Sequence, residues 1–196
     1  LRPFFHNIHS LRVVDVLSNA NRGMNLTFQV RDGIISHDGE VNEVSVQPLK
    51  NKSEEDIQDY IRRKKEGEHA AIFPGTLEGC LVRIADSISY IGQDFEDAVR
   101  IGLIKEKDMP GRIKETLGES NSEIINTLVQ DIISQSYGRN EIRYSLPIAQ
   151  CVFQLKNFNL ETIYENKILK RERGIIREAF FFLFEHFRED IKKGNY

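Results

Sequence analysis

Apolar residues recur at three- and four-residue intervals along most of the chain, which is the spacing of a helix that buries one face. Residues 8–17 predict a first helix, for which Gly23 supplies a stop signal. Residues 26–34 predict a second, short helix that ends at Gly39. The pattern then dissolves, so residues 40–52 are predicted to form a polar loop.

An acidic-to-basic run indicates a third helix. The segment SEEDIQDYIRRKKEG begins with Ser53 and places Asp56 three residues later, which is close to a capping box. Its acidic residues precede its basic ones, the order that the helix dipole favours. A mixed-charge helix face in water explains the basic residues 62–65 better than a phosphate patch does.

The most regular stretch covers residues 76–94 and predicts one continuous helix. Its apolar side chains fall on a narrow stripe when each residue turns the helix by about 100°. The stripe consists of Leu77, Leu81, Ile84, Ile88 and Ile91. We expect this face to lie in the core.

Further helices are predicted near residues 95–103, 108–117, 122–136, 145–155 and 172–192. Strand signals are nearly absent, so the predicted fold class is all-α. Apolar and aromatic residues of the last helix, over 176–187, cover most of its circumference. This pattern predicts burial on more than one side, by the rest of this chain, by a partner subunit or by residues upstream of Leu1.

The composition is that of a folded globular chain. Of 196 residues, 40% are apolar and 29% charged, with no run of about 18 apolar residues that could span a bilayer. The 27 Lys and Arg against 30 Asp and Glu leave a net charge of −3, so no basic excess indicates nucleic acid or an anionic membrane. Cys80 and Cys151 lie on distant apolar stretches and predict reduced core thiols in a cytosolic protein.

The common catalytic motifs are absent. The sequence contains no GxxxxGKS or GxxxxGKT, GxGxxG, CxxC, HExxH or GxSxG, which excludes P-loop, zinc-ribbon, zincin and α/β-hydrolase chemistry. The remaining candidates are His6, His9, His37, Asp38, Asp86, Tyr90 and Asp94. The last three follow at intervals of four and therefore share a helix face away from the apolar stripe. From spacing alone, that face is either a solvated surface or a site.

Three blocks of the sequence resemble one enzyme family. They are FFHNIHSLRVV, NLTFQVRDGIISHDGE and TLEGCLVRIADSISYIGQDFEDAVRIGLI, within which ADxxxYxxxD is the most specific pattern. In content and order they are similar to blocks of the HD-domain deoxynucleoside triphosphate triphosphohydrolases, the dGTPase-like family. The resemblance implies an HD-domain-like helical bundle whose C-terminal part is residues 1–105, with residues 106–196 as a helical extension packed on it.

The resemblance also implies a site. In that family a His, a His-Asp doublet and a distant Asp hold a divalent metal ion such as Mg²⁺ or Mn²⁺, and Asp86 occupies the distant Asp position. Tyr90 and Asp94 fall on positions that contact the sugar and phosphates of a dNTP, and His6 falls on a catalytic histidine near the scissile phosphate. Ser87 departs from the pattern, since some relatives carry a basic residue there to meet phosphate.

The other metal ligands of the family, a His and the doublet of an LLHDIGH-like stretch, have no counterpart here and are expected upstream of Leu1. An alternative set within the chain is His9, His37, Asp38 and Asp86. Its VRDGIISHDGE context resembles a later helix of the family, and a doublet beside Gly39 is common at a polar helix terminus. We therefore favour the upstream set.

The chemistry explains why these residue types are needed. Cleavage beside a triphosphate requires positive charge and an acidified water, and a divalent metal supplies both. A histidine can donate a proton or hydrogen bond to the leaving oxygen. A tyrosine offers a flat ring to the deoxyribose, and a carboxylate can accept a hydrogen bond from the 3′-hydroxyl.

The sequence thus predicts a cytosolic, homo-oligomeric, metal-dependent dNTP triphosphohydrolase without membrane association. Taken alone, with Asp86 as a single metal ligand, this chain is expected to be inactive. Two alternatives stay open: an inactive HD-type subunit that senses nucleotides or acts as a scaffold, and an HD enzyme for another phosphate ester.

Overall fold

The structure is a computed structural model that describes residues 3–39 and 43–194, and helices form most of it. The helices are α1 His6–Arg12, α2 Ser18–Asn21, α3 Phe28–Ser36, α4 Glu54–Lys65, α5 Leu77–Ser89, α6 Ile91–Arg100, α7 Gly111–Leu117, α8 Asn121–Ser136, α9 Leu146–Asn159 and α10 Lys167–Lys193. The predicted all-α class is confirmed. Residues 40–42 of the predicted loop lie outside the described ranges.

The first predicted helix continues beyond α1 as a π-helical segment, Val13–Leu17. The chain then turns through α2, where Asn19 and Ala20 both have φ of 54°. Gly23 follows with φ of 72°, and a Cβ atom there would lie 2.2 Å from the carbonyl oxygen of Asp15. Steric crowding therefore requires glycine at position 23, the predicted stop signal.

Helix α4 begins as its sequence predicts. The carboxylate of Asp56 accepts a hydrogen bond from the backbone N–H of Ser53 at 2.7 Å. The helices α1, α3 and α4 enclose a small hydrophobic cluster that consists of Leu11, Ile35, Ile57, Tyr60 and Ile72. This cluster forms the N-terminal part of the core.

An ion pair between Lys52 and Asp32 is buried beside this cluster, with side chains 2% and 0% exposed. Lys52 Nζ also donates to Ser36 Oγ at 2.8 Å, and the N–H of Gly75 donates to Asp32 Oδ2 at 2.7 Å. Burial lowers the pKa of Lys52, and its hydrogen bond to Asp32 opposes that shift. The pair joins α3 to the segments that precede α4 and α5.

Helices α3 and α5 cross at two glycines. A Cβ atom on Gly33 would lie 3.7 Å from the Cα of Gly79, and one on Gly79 would lie 2.7 Å from Pro74 Cβ. A side chain at Gly79 would therefore force Pro74 to move. The absence of side chains at the crossing lets the two backbones approach closely.

The other side of α5 faces a larger core. Buried residues of that core come from α5 to α9 and from both short strands or their neighbours, and they extend from Val46 to Leu155. Cys80 and Cys151 are both free thiols within it, as predicted. The core includes residues on both sides of position 105, and the division of the chain at that position stays a prediction.

Two strands of two residues each connect distant segments. Ser45–Val46 (β1) pairs antiparallel with Ile142–Arg143 (β2), with Val46 opposite Ile142. Strands this short have no detectable periodicity, and neither strand was predicted.

The predicted continuous helix over 76–94 is wrong, because the structure divides it at Tyr90 into α5 and α6. The predicted apolar stripe is also partly wrong, since Leu81 is 46% exposed. Helix α5 packs on both α3 and the larger core, so it buries polar Arg83 and Ser87 beside Ile84 and Ile88.

Helix α10 carries an exposed aromatic surface. Phe180, Phe182 and Phe184 are 70%, 71% and 63% exposed. None of the residues of α10 is buried against the described part of the chain. Core packing within this chain, one of the three predicted coverings, is therefore excluded for the described residues. In the described ranges, no helix combines the length and the apolar character needed to cross a membrane.

A capping box starts α8. Glu123 accepts hydrogen bonds from the backbone N–H groups of Glu119 and Ser120 at 2.8 and 3.1 Å. These bonds lower the pKa of the Glu123 carboxyl below its usual value of 4.5. The turn before α8 requires Gly118, whose φ is 114° and whose added Cβ atom would lie 2.4 Å from Glu123 Cβ.

Asp32→Asn is expected to lower the free energy of unfolding by about 3 to 5 kcal/mol, because it leaves the buried ammonium of Lys52 without a counter-charge. Urea denaturation followed by circular dichroism measures this loss. Asp59→Asn is the matched control, since Asp59 pairs with Arg62 at an exposed surface and its loss should change little. Equal effects of the two substitutions would contradict the role of the buried pair.

Glu123→Ala is expected to destabilise the chain at neutral pH, and the difference from the wild type should disappear on acidification. The lowered pKa means that the carboxylate contributes stability above its usual titration range and loses that contribution as pH falls through its folded pKa. Thermal unfolding at pH 7 and in steps below pH 4.5 measures the difference. Glu115→Ala, at an exposed position of α7, should show no such convergence.

Candidate functional site

The junction of α5 and α6 places two of the predicted site residues one turn apart. Tyr90, with φ of −108° and ψ of −15°, lies between the helices. The N–H of Asp94 donates to the carbonyl oxygen of Tyr90 at 2.8 Å, so the backbone continues to wind across the junction. Tyr90 is 36% exposed and Asp94 is half-buried. Despite the break, these two side chains keep the helical spacing on which their shared face was predicted.

A cavity of about 330 Å³ opens beside Tyr90. Its lining residues come from the α5–α6 junction and from the end of α9 with the π-helical segment that follows it, Leu160–Tyr164. They are Tyr90, Ile91, Lys156, Asn157, Asn159, Leu160 and Tyr164. The hydroxyl of Tyr164 donates to the carboxylate of Asp94, which links the two walls.

Lys156 brings a positive charge to this wall. Its ammonium group donates a hydrogen bond to the hydroxyl of Ser87, which is 4% exposed on α5. Ser87 is the position at which the sequence lacks an expected basic residue, and Lys156 supplies a cation there from a different helix. The sequence prediction missed Lys156, although it is the one charged residue in the segment LPIAQCVFQLKNFN that forms α9.

Asn159 holds the two walls together. It is 2% exposed, and its Nδ2 donates to the carbonyl oxygen of Ile91 at 2.8 Å. Its Oδ1 is buried without a hydrogen-bond partner among the described residues. The bond to Ile91 joins the end of α9 to the first residue of α6, and so sets the separation between Lys156 and Tyr90.

Asp86 lies on α5 one turn before Tyr90, and its side chain is exposed. Its backbone carbonyl accepts a hydrogen bond from the hydroxyl of Ser89 at 2.8 Å. A carboxylate oxygen is a suitable ligand for a hard divalent cation. Within residues 3–39 and 43–194, however, no three His, Cys, Asp or Glu side chains are arranged to hold a metal ion. The alternative set of His9, His37, Asp38 and Asp86 therefore does not form a metal site.

His6 lies in a different cluster, at the start of α1. Its Nε2 is 3.6 Å from Asp38 Oδ1, and its ring contacts the ring of His37 with centroids 5.1 Å apart. The His6 side chain is 57% exposed. The structure thus divides the predicted residues into two groups, one around His6 and one along α5 and α6.

Similarity to known proteins agrees with the three sequence blocks. No protein-family model matches the chain. A "deoxyguanosinetriphosphate triphosphohydrolase-like protein" of Caldanaerobacter subterraneus subsp. tengcongensis is 32% identical over 190 residues, which cover 97% of this chain and 47% of that protein. Proteins of the same name from Clostridium tetani and Clostridium perfringens strain SM101 are 32% and 35% identical and cover 98% and 87% of this chain.

The chain spans about half the length of the curated relatives it matches. The aligned region nevertheless takes in almost all of its residues, and it includes the segments that carry Asp86, Tyr90 and Asp94. By sequence, the chain is related to the deoxyguanosinetriphosphate triphosphohydrolase-like family.

Proposed function

We propose that this chain forms the sugar- and phosphate-binding part of a dNTP triphosphohydrolase, which converts a deoxynucleoside triphosphate to a deoxynucleoside and triphosphate. The observation that carries the proposal is the cavity beside Tyr90, which is lined by Tyr90, by the cation Lys156 of α9 and by Tyr164, whose hydroxyl donates to the carboxylate of Asp94. The printed name of the relatives makes dGTP the first substrate to test.

The cavity wall and the adjoining Asp94 offer separate contacts for the two parts of such a substrate. Tyr90 presents a ring against which deoxyribose can pack, and Asp94 presents an acceptor for the 3′-hydroxyl. Tyr164 already donates to Asp94 and so orients that carboxylate. Lys156 presents an ammonium donor to phosphate oxygen, and charge-assisted bonds of this kind are among the stronger hydrogen bonds in proteins.

His6 would act at the scissile phosphate, by donating a proton or hydrogen bond to the leaving oxygen. Its exposed side chain is accessible to a substrate. Asp86 would contribute one carboxylate oxygen to a divalent cation such as Mg²⁺ or Mn²⁺, which when bound supplies charge neutralisation and an acidified water. The remaining ligands of that cation would come from residues beyond this chain.

A scaffolding or nucleotide-sensing role is the second candidate, because α10 exposes a row of phenylalanines that suits a partner surface. The same surface would serve a homo-oligomer of the enzyme. Under this alternative the cavity binds a nucleotide without turnover.

The protein that contains this chain is expected to release inorganic triphosphate from dGTP, and to a differing extent from the other dNTPs, in the presence of Mn²⁺ or Mg²⁺. Ion chromatography of the products separates triphosphate from pyrophosphate and phosphate. The 196-residue chain is the control and should release none, because Asp86 alone cannot hold the metal ion. Absence of triphosphate from the longer protein with every dNTP and metal would refute the enzymatic role, and dNTP-dependent thermal stabilisation without turnover would support the sensor.

In the longer protein, Lys156→Ala is expected to lower kcat/KM for dGTP, measured by triphosphate release, by about 10- to 100-fold, because a hydrogen bond to a charged group contributes about 1.5 to 3 kcal/mol. Lys156→Arg should retain most of the activity, since it keeps a cation at the cavity wall. Lys50→Ala, at an exposed loop position, controls for the loss of one positive charge from the protein. An unchanged kcat/KM in Lys156→Ala would remove the proposed phosphate contact.

A further inference from the structure

We infer that Arg83 is a positioning residue, which holds the His37–Asp38 end of α3 against His6 and thereby fixes His6 relative to the helix that carries Asp86. This inference rests on the proposed function for its consequence in catalysis. The positioning itself is a property of the chain and can be measured without any activity.

Arg83 is 6% exposed and donates to three backbone carbonyls. Its Nη1 reaches the carbonyl oxygens of Ser36 at 2.7 Å and Ile72 at 3.2 Å, and also that of Asp38. The carbonyls at the end of a helix lack intrahelical partners. The guanidinium therefore satisfies the terminus of α3 and ties it to α5 and to the segment before α5.

Two further neighbours, Phe73 and Gly39, enclose the guanidinium of Arg83. The ring of Phe73 lies 5.3 Å from Arg83 Cζ, in a cation–π contact. Gly39 has φ of 115°, and a Cβ atom on it would lie 2.5 Å from Arg83 Nη2. A side chain at Gly39 would thus displace the guanidinium from the terminus of α3.

The other partner in this contact, α1, is fixed by the residue next to His6. Asn7 is fully buried, and its Nδ2 donates to the carbonyl oxygen of Ile35 at 2.8 Å and to the hydroxyl of Tyr60 at 2.9 Å. The start of α1 is therefore attached to the last turn of α3. His6 is held one residue away from this anchor.

The two anchors converge on His6. The hydrogen bonds of Asn7 fix the position of the first turn of α1, which carries His6. Those of Arg83 fix the position of His37 and Asp38, which directly follow α3. The resulting contacts are the 3.6 Å approach of His6 Nε2 to Asp38 Oδ1 and the edge contact of the His6 and His37 rings. Asp38 and His6 are both partly exposed, so their mutual attraction alone is too weak to define this geometry. The buried contacts of Arg83 provide the definition.

The position of Arg83 on α5 gives this arrangement its consequence. Asp86 follows Arg83 by three residues on the same rigid helix. A single guanidinium thus links the proposed metal ligand to the segment that orients the proposed catalytic histidine. Misplacement of a catalytic group by about 1 Å can cost on the order of 100-fold in rate.

The test uses Gly39→Ala, with Gly67→Ala as its matched control. Gly67 also has a positive φ, 83°, but a Cβ atom there meets nothing within 4 Å. The first readout is the ¹⁵N and ¹H NMR signals of the His6 ring in the 196-residue chain, assigned by their loss in His6→Gln. Gly39→Ala is expected to shift these signals and Gly67→Ala to leave them unchanged.

Two substitutions of Arg83 itself, Arg83→Gln and Arg83→Lys, form a second test of the positioning role. This test remains decisive if Gly39→Ala fails to fold. Arg83→Gln should shift the His6 signals, and Arg83→Lys should shift them less, because the ammonium can still donate to a carbonyl. In the longer protein, Arg83→Gln should lower kcat by about 10- to 100-fold with little change in KM. Unchanged His6 signals in folded Arg83→Gln would overturn the inference. Shifted signals in a protein without triphosphohydrolase activity would support the positioning role while the proposed function fails.

Discussion

The close crossing of α3 and α5 is the contact on which the rest of the arrangement depends. Gly33 and Gly79 remove the side chains that would separate the two backbones, and Pro74 packs into the space beside Gly79. The short distance between the two helices lets the side chain of Arg83 reach the terminus of α3, where it donates to three backbone carbonyls at once. Helix α5 then carries one face toward the small N-terminal cluster and the other toward the larger core.

The candidate site combines residues that are neighbours in the sequence with residues that are distant in it. Tyr90 and Asp94 come from one turn of chain, so their relation is fixed by helix geometry. Lys156 and Tyr164 approach them from about 70 residues further along, and Asn159 fixes their approach through its bond to the Ile91 carbonyl. The cavity is therefore lined by a cation, and a carboxylate is bonded to one of its lining residues, although the chain has a net charge of −3.

The sequence predicts the local features of the structure well and the contacts between distant residues poorly. The capping box at Ser53, the stop at Gly23 and the shared face of Tyr90 and Asp94 follow from rules that act over a few residues, and each is present. The contact of Lys156 with Ser87 joins residues 69 positions apart, which no local pattern encodes. The exposure of α10 could not be predicted for the same reason. An apolar pattern shows that a helix face favours burial, but whether that face is buried depends on which segments pack against it.

The π-helical segment Leu160–Tyr164 continues α9, so the number of residues in it sets the direction in which the side chain of Tyr164 points. In an α-helix each residue advances the rotation by about 100°, so loss of one residue from this segment would rotate Tyr164 about the helix axis by about that angle relative to α9. Tyr164 would then turn away from Asp94, and its hydrogen bond to that carboxylate would be lost.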